Sequence, residues 1–199
     1  HWERVYETKA PDAVSWFQSV PTVSARLLAS GGLGPSTWVI DIGGGDSRLV
    51  DFLLSKGVGC VCVLDISAAA LDKARARLGE NARRVTWMEA DVTGDWHVPF
   101  VDIWHDRAVF HFLTNVDDRV RYIAHLRTAL RPGGSAIIAT FAPDGPEKCS
   151  GLPCVRYSPD SLLRELGEGF RLDEWVHESH QTPFETVQEF GYQRFTRVR

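Results

Sequence analysis

Three glycines follow an apolar run in the segment from Val39 to Arg48, Val-Ile-Asp-Ile-Gly-Gly-Gly-Asp-Ser-Arg, and a helical pattern comes after them. Glycines at the end of a strand let the backbone approach a ligand closely, because a Cβ atom would obstruct that contact. Asp41 lies two residues before the first glycine. Its carboxylate would repel a pyrophosphate and suits a ligand with an ammonium group. The segment therefore predicts a binding loop for such a ligand.

Two further aspartates follow the next two predicted strands. Asp65 ends the run Gly59 to Asp65, and Asp91 comes shortly after the run Val85 to Glu89. Asp65 lies about 20 residues beyond the glycines, where an acidic residue hydrogen-bonds the ribose hydroxyls in nucleotide-binding sheets. The three aspartates therefore predict one ligand that crosses several strand ends.

These markers, together with Arg131-Pro-Gly-Gly134, resemble those of the class I, or Rossmann-like, S-adenosylmethionine-dependent methyltransferases, over nearly the whole chain. The resemblance implies S-adenosylmethionine as the cofactor. It places Asp65 at the ribose hydroxyls and Asp91 at the adenine amino group. The cofactor contacts that it implies are Trp2, Tyr6, Trp16, Asp41, Gly43, Gly44, Gly45, Asp65, Ile66, Asp91, Val92 and His105.

Two other functions remain open at this point. Gly43 and Gly45 also fit the Gly-x-Gly-x-x-Gly loop of dinucleotide-binding proteins, although the third position is Arg48, a poor choice where helix and strand pack closely. An NAD-dependent oxidoreductase is therefore one alternative. A cofactor-binding regulator without catalysis is the other.

Titratable and aromatic side chains are dense in the segment from Trp104 to Leu113, after the fourth predicted strand. Methyl transfer from a sulfonium needs an aligned acceptor and, for a protonated acceptor, a base. A histidine with a pKa near 6.5 is suited to be that base. The candidate catalytic residues are His105, Asp106, Arg107 and His111. No metal ligand set is expected.

The same segment is similar to the Asp-Lys-Gly-Thr-Leu-Asp motif of methyltransferases that modify lysines of an elongation factor and of citrate synthase. Asp106 matches the first Asp, Arg107 the Lys and His111 the last Asp. With a histidine in place of that carboxylate and an arginine close by, a lysine ammonium is disfavoured. We therefore expect a small-molecule nucleophile (thiol, carboxylate, hydroxyl or amine) as the acceptor. A protein lysine is the alternative.

The chain has 22 Lys and Arg against 26 Asp and Glu, for a net charge of −4. This balance gives no basic footprint for nucleic acid or an anionic membrane, so neither partner is expected. The chain also lacks the Asn-Pro-Pro-Tyr or Asp-Pro-Pro-Tyr motif that holds a planar amine, which disfavours methylation of bases. We expect a cytoplasmic protein, and the oligomeric state is not predicted.

The first seventeen residues carry Trp2, Tyr6 and Trp16. This opening is similar to that of the lysine methyltransferases and to the lid of the thiol and halide methyltransferases. The resemblance implies a helical lid over residues 1–30 that closes on the cofactor, with helices predicted over 11–20 and 22–30.

The four cysteines divide into two pairs. Cys60 and Cys62 alternate in a strand pattern, where cysteine acts as a small hydrophobe. Cys149 and Cys154 lie in a loop rich in Pro and Gly. Their spacing does not predict a zinc site. A reactive thiol at Cys149 is the alternative hypothesis.

Short apolar runs alternate with helical patterns through the rest of the chain. Strands are predicted over 38–42, 59–65, 85–89, 101–104, 135–141, 170–177 and 187–198, and helices over 47–56, 67–78, 114–130 and 158–166. This alternation predicts an α/β fold, a Rossmann-like open twisted sheet of about seven strands with helices on both faces. The sheet is expected to be mostly parallel, with an antiparallel C-terminal edge hairpin.

The length of 199 residues fits one domain. Within it we expect a cofactor-binding core over residues 36–141. A substrate-side loop and the terminal hairpin follow over residues 142–199. Arg131-Pro-Gly-Gly134 is predicted as a turn before the fifth strand.

Overall fold

The computed structural model describes residues 1–199, and its main sheet has seven strands. They are β1 Trp38–Ile42, β2 Cys60–Asp65, β3 Val85–Glu89, β4 Val101–Arg107, β5 Leu130–Phe141, β8 Phe170–Gln181 and β9 Val187–Arg197, while β6 Lys148–Cys149 and β7 Leu152–Pro153 form a small separate hairpin. The helices are α1 Trp2–Thr8, α2 Thr22–Ser30, α3 Leu49–Ser55, α4 Ala68–Leu78, α5 Val116–Ala129 and α6 Pro159–Leu166.

The spatial order of the sheet is β3-β2-β1-β4-β5-β9-β8. Strands β1 to β5 pair in parallel, whereas β9 is antiparallel to both β5 and β8. The chain winds outward from β1 in one direction and from β4 in the other. Such a reversal opens a crevice at the carboxyl ends of the central strands, where ligands bind in open α/β sheets.

Helices cover both faces of the sheet. One core cluster includes Leu27 of α2 and Leu53 of α3, and the other includes Leu126 of α5 and Leu162 of α6. Each cluster contains 19 buried residues, so the two faces are equally well covered. The predicted fold class is confirmed. None of the helices is long and apolar enough to cross a bilayer.

The N-terminal helix prediction was wrong in position. The helix lies at Trp2–Thr8, and residues 11–20 form turns and bends instead. The reason is visible in the backbone, because the carbonyls of Ser15 and Trp16 accept hydrogen bonds from His180 and Arg107. Tertiary contacts therefore take the acceptors that a helix would use.

Three strands extend beyond their predicted ends. β4 continues to Arg107, so residues 105–107 lie within the sheet and not just past it. β5 begins at Leu130, so the predicted turn over 131–134 lies inside a strand whose pairing with β4 shifts register between Val101 and Ile103. β8 continues to Gln181. Backbone pairing with neighbouring strands fixes these ends: β4 and β5 pair with each other, and the end of β8 pairs with β9 across the hairpin.

Candidate active site

A cavity of about 230 Å³ lies at the carboxyl ends of the parallel strands. A smaller cavity of about 60 Å³ adjoins it, and the two share Tyr6, Trp16, Gly43 and Arg107. The larger cavity is lined by Trp2, Tyr6, Trp16, Gly43, Leu64, Asp65, Ile66, Ala90, Asp91, Val92, Arg107, Ala108, Val109, Phe112, Leu113, Cys149, Gln188 and Phe190. The crevice that the topology predicts is therefore present.

The glycine loop forms one wall of both cavities. Gly43 has a φ of +63° and Gly45 a φ of +44°, conformations that other residues rarely adopt. A Cβ atom on Gly43 would overlap the side chain of Val109, and one on Gly44 would lie 2.6 Å from Asp41 Oδ2. The three glycines therefore leave a cradle that side chains would fill.

Replacing Gly43 by Ala is expected to weaken binding of S-adenosylhomocysteine and to destabilise the fold by about 2–3 kcal/mol, because strain at positive φ adds to the overlap with Val109. Gly32→Ala is the matched control, since Gly32 also has a positive φ but has no atom within 4 Å of the added Cβ. Gly32→Ala should lower the free energy of unfolding only by the backbone strain and should leave the binding of S-adenosylhomocysteine unchanged. Calorimetric titration and thermal unfolding measure both effects, and equal binding by the two variants would contradict the cradle.

Asp65 and Asp91 border the larger cavity from the ends of β2 and β3. Asp65 is only 6% exposed, and its Oδ1 accepts a hydrogen bond of 2.9 Å from the backbone of Ser67. Burial raises its pKa to about 6, although hydrogen bonds from the backbone oppose the change. Asp91 is exposed and its Oδ1 binds Thr93. Both carboxylates can accept hydrogen bonds from a ligand in the cavity.

Binding of S-adenosylhomocysteine is expected to weaken as the pH falls through about 6, because protonated Asp65 loses the charge that favours hydroxyl donors. Each pH unit below that point should lower the affinity by up to about tenfold. The raised pKa means that protonation of Asp65 favours the folded state, so unfolding does not explain the loss. Titrations from pH 7.5 to 5 test this, and a flat profile would contradict it.

Asp41 and His105 are opposite each other on β1 and β4. His105 Nδ1 donates to Asp41 Oδ1 at 2.7 Å, and Nε2 lies 2.9 Å from the hydroxyl of Ser24. All three side chains are buried, and both Asp41 and His105 line the smaller cavity. His105 therefore orients the Asp41 carboxylate beneath the glycine loop, with neither ring nitrogen free for an acceptor.

Asp106 and His111, which were predicted to be catalytic residues, line neither cavity. Asp106 is fully buried on the opposite face of β4, where it accepts hydrogen bonds from Tyr122 and from the backbone of Val109 and Phe110. His111 is also fully buried, and burial lowers its pKa to about 3. Asp106 braces the turn after β4, and His111 lies away from both cavities, where its Nδ1 accepts a hydrogen bond from the backbone of Phe141.

Arg107 is the one of the four catalytic candidates that lines the larger cavity. Its Nε donates to the hydroxyl of Tyr192 at 2.8 Å, and its Nη1 donates to the carbonyl of Trp16 at 2.9 Å. The guanidinium also lies over the ring of Phe190, 4.9 Å from the centroid. Arg107 thus joins β4, β9 and the N-terminal segment at the site.

The N-terminal segment covers the cavity. Trp2 packs edge to face with Trp16 and Phe112, at centroid distances of 5.6 Å and 5.0 Å. Glu3 accepts hydrogen bonds from the Ser67 hydroxyl at 2.6 Å and the Ala69 amide at 3.2 Å, at the start of α4. The three predicted lid aromatics therefore lie at the site, held by polar contacts at the rim.

Several residues that line the larger cavity were not predicted from the sequence. Gln188 and Phe190 come from β9, which is inserted between β5 and β8. No local spacing reveals that insertion. Phe112 and Leu113 lie in the segment singled out for its aromatic residues, and that composition was the available signal.

Comparison with known proteins agrees with this geometry. Residues 39–134 match the family model described as a methyltransferase domain. A structure from work on the conversion of a disulfide bond into a thioacetal group during echinomycin biosynthesis has 22% identity and a TM-score of 0.77, over 98% of this chain and 91% of that chain. A search of curated proteins finds no match.

Two further structures are similar in fold and contain S-adenosylhomocysteine. The N-methyltransferase NodS from Bradyrhizobium japonicum WM9 has 17% identity and a TM-score of 0.75, over 99% of this chain and 98% of that chain. The 1,6-didemethyltoxoflavin-N1-methyltransferase of Burkholderia thailandensis has 20% identity and a TM-score of 0.71, over 90% and 78%.

The sheet order, the glycine cradle and the acidic residues after β2 and β3 define a class I cofactor-binding domain. The family match to a methyltransferase domain covers the same part of the chain, from β1 into the start of β5.

Proposed function

We propose that this chain is an S-adenosylmethionine-dependent methyltransferase and that it acts on a small-molecule nucleophile. In this proposal the nucleophile binds in the half of the larger cavity that is lined by Arg107, Cys149, Gln188 and Phe190. The division of the cavity supports this. Gly43, Asp65 and Asp91 lie towards β1, β2 and β3, whereas the four acceptor-side residues come from β4, β9 and the loop after β5. In this proposal residues 36–141 hold the cofactor, and residues 142–199 complete the acceptor site under a lid formed by residues 1–30.

The chain's residues would bind the cofactor in three places. Asp65 accepts from the ribose hydroxyls, Asp91 binds the adenine amino group, and the Asp41 carboxylate, held by His105, attracts the ammonium. Ile66 is 51% exposed at the cavity and, with Val92, offers apolar contact to the adenine. Lid residues Trp2, Tyr6 and Trp16 exclude water and place aromatic faces close to a positive charge.

At this site S-adenosylmethionine would supply an electrophilic methyl group, which would pass from sulfur to the acceptor and leave S-adenosylhomocysteine as the product. The protein's contribution is alignment, since the rigid strand ends hold donor and acceptor side by side. His105 and His111 offer no free basic nitrogen at the cavity. A protonated acceptor therefore releases its proton to water.

The single observation that carries the proposal is the absence of any carboxylate among the acceptor-side residues. A lysine acceptor would need an acid to attract its ammonium, and Arg107 would repel it. The similar structures point the same way, because the Burkholderia thailandensis enzyme contains 1,6-didemethyltoxoflavin and another similar enzyme is a glycopeptide N-methyltransferase.

Transfer of labelled methyl from S-adenosylmethionine in a cell extract tests the proposal. We expect label in the small-molecule fraction, dependent on the wild-type protein. The Asp65→Asn variant serves as the control for enzyme-dependent transfer. Label concentrated on one protein band would contradict a small-molecule acceptor and favour the lysine alternative.

A further inference from the structure

One guanidinium nitrogen of Arg107 is buried and has no hydrogen-bond partner. Nε and Nη1 are engaged by Tyr192 and Trp16, but Nη2 is buried without an acceptor. No carboxylate forms an ion pair with Arg107, and the connection to Glu178 runs through the Tyr192 hydroxyl, which donates to Glu178 at 2.8 Å. A buried N–H of a charged group without an acceptor is costly, so a ligand that supplies one gains affinity.

A second unpartnered polar atom belongs to the same wall of the larger cavity. Gln188 is 9% exposed, and its Oε1 is buried without a hydrogen bond. Gln188 and Arg107 thus offer an acceptor and a donor at one end of the cavity. Two unpartnered groups at one place are typical of a site that a polar ligand completes.

The titratable groups near Arg107 include His111, His180 and, beyond the Tyr192 hydroxyl, Glu178. His111 and His180 both have a lowered pKa, caused first by burial and then by the charge of Arg107. His180 Nε2 donates to the carbonyl of Ser15, which holds the ring away from an anion-pairing role. The acceptor-side wall therefore carries one cation that forms no direct ion pair with an acid.

We propose that Arg107 binds a carboxylate of the methyl acceptor through Nη2, and that Gln188 accepts a hydrogen bond from a neighbouring hydroxyl or amine of the same molecule. This rests on the proposed function and narrows its substrate class to carboxylate-bearing small molecules. The carboxylate anchors the acceptor beneath Trp16, next to the ring of Phe190.

The cofactor also has a carboxylate, so it must be established whether Arg107 binds the carboxylate of the cofactor or that of the acceptor. The smaller cavity lies at the Asp41 and Gly44 end of the glycine loop, where the amino-acid part of the cofactor belongs, and Lys9 and Arg48 line it. Neither of these two cations forms an ion pair. Arg107 lines this cavity as well, but Lys9 and Arg48 can hold the cofactor carboxylate, and Arg107 Nη2 is then left for the acceptor.

Titration of the full-length protein saturated with S-adenosylhomocysteine tests the site with benzoate, benzamide and benzylamine, three ring compounds that differ in charge. We expect benzoate to bind at least about tenfold more tightly than benzamide or benzylamine, because only benzoate can form a charge-assisted hydrogen bond with Arg107, and one such bond accounts for a difference of that size. Arg107→Gln should abolish this preference. Equal affinity for benzoate and benzamide, or an unchanged preference in Arg107→Gln, would overturn the proposal.

Two further variants separate charge recognition from folding. Gln188→Glu leaves Arg107 in place but adds an acid beside it, so benzoate binding should be lost and benzylamine binding gained. Arg127 is the matched control, since it stacks on Phe170 at 5.6 Å and donates to backbone carbonyls but lies outside the cavity. Arg127→Gln should keep the benzoate preference, and its loss there would contradict a specific role for Arg107.

Titrations with cofactor analogues test whether Arg107 binds the carboxylate of the acceptor or that of the cofactor. S-adenosylhomocysteine and 5′-methylthioadenosine, which lacks the amino-acid part, are titrated into the wild type and Arg107→Gln. We expect each affinity to change by less than about threefold. A tenfold loss for S-adenosylhomocysteine alone would assign Arg107 to the cofactor and overturn the proposal. Failure of the wild type to bind S-adenosylhomocysteine would instead contradict the proposed function itself.

Discussion

Asp65→Asn is expected to weaken binding of S-adenosylhomocysteine by about thirty- to a hundredfold, which corresponds to about 2–3 kcal/mol. The carboxylate accepts two charge-assisted hydrogen bonds from the ribose in our proposal, and the amide replaces them with weaker ones. Asn keeps the oxygen that accepts from the Ser67 backbone, so the local turn survives. Burial already raises the pKa of Asp65, so removing its charge should leave the fold as stable or more stable.

Calorimetry measures the binding and thermal unfolding measures the stability of Asp65→Asn. Asp72→Asn, an exposed position on α4 whose side chain is 70% accessible, provides the control and should bind like the wild type. Unchanged binding in Asp65→Asn would place the ribose elsewhere. A large loss of stability would instead indicate a structural role for the carboxylate.

Deletion of residues 1–17 is the second change with a large expected effect. The truncated protein should fold, because Val14 is the only buried residue in the deleted segment, Trp16 is only partly buried, and both core clusters begin at Leu27 or later. Its affinity for S-adenosylhomocysteine should fall by about ten- to a hundredfold, since the lid aromatics no longer bury apolar surface of the ligand and water enters the open cavity.

A milder change tests the same lid without truncation. Glu3→Gln weakens the contact with Ser67 and Ala69 that ties α1 to α4. It should weaken binding less than the deletion does and leave the unfolding temperature unchanged. The lid account fails if the truncated protein loses cooperative unfolding, because the aromatic residues would then be part of the core.

The cofactor half of the site could be predicted because its signals are local. Asp41 and the glycines lie within five residues, and Asp65 and Asp91 each follow a recognisable strand. Strand ends of a parallel sheet meet at one edge, so spacing along the chain translates into position.

The acceptor half depends on contacts that no local pattern reveals. Asp106 and Arg107 are adjacent in sequence, yet they lie on opposite faces of β4, one under Tyr122 and the other in the cavity. His111 is held in the interior by Phe141, whose backbone N–H donates a hydrogen bond to His111 Nδ1. Gln188 arrives through the antiparallel insertion of β9. The residue types therefore pointed to the right segment of the chain, but only the fold distinguishes which of its residues line the cavity.

Hydrogen–deuterium exchange of the full chain with and without S-adenosylhomocysteine tests the site most directly, because one experiment locates the cofactor and the lid together. We predict slower exchange in residues 2–17, in the loop 43–48, and in residues 65–67 and 90–93, with the β8–β9 hairpin away from the cavity unchanged. Protection confined to other segments, or protection of the glycine loop without the N-terminal segment, would contradict a cofactor held at the strand ends beneath a closing lid.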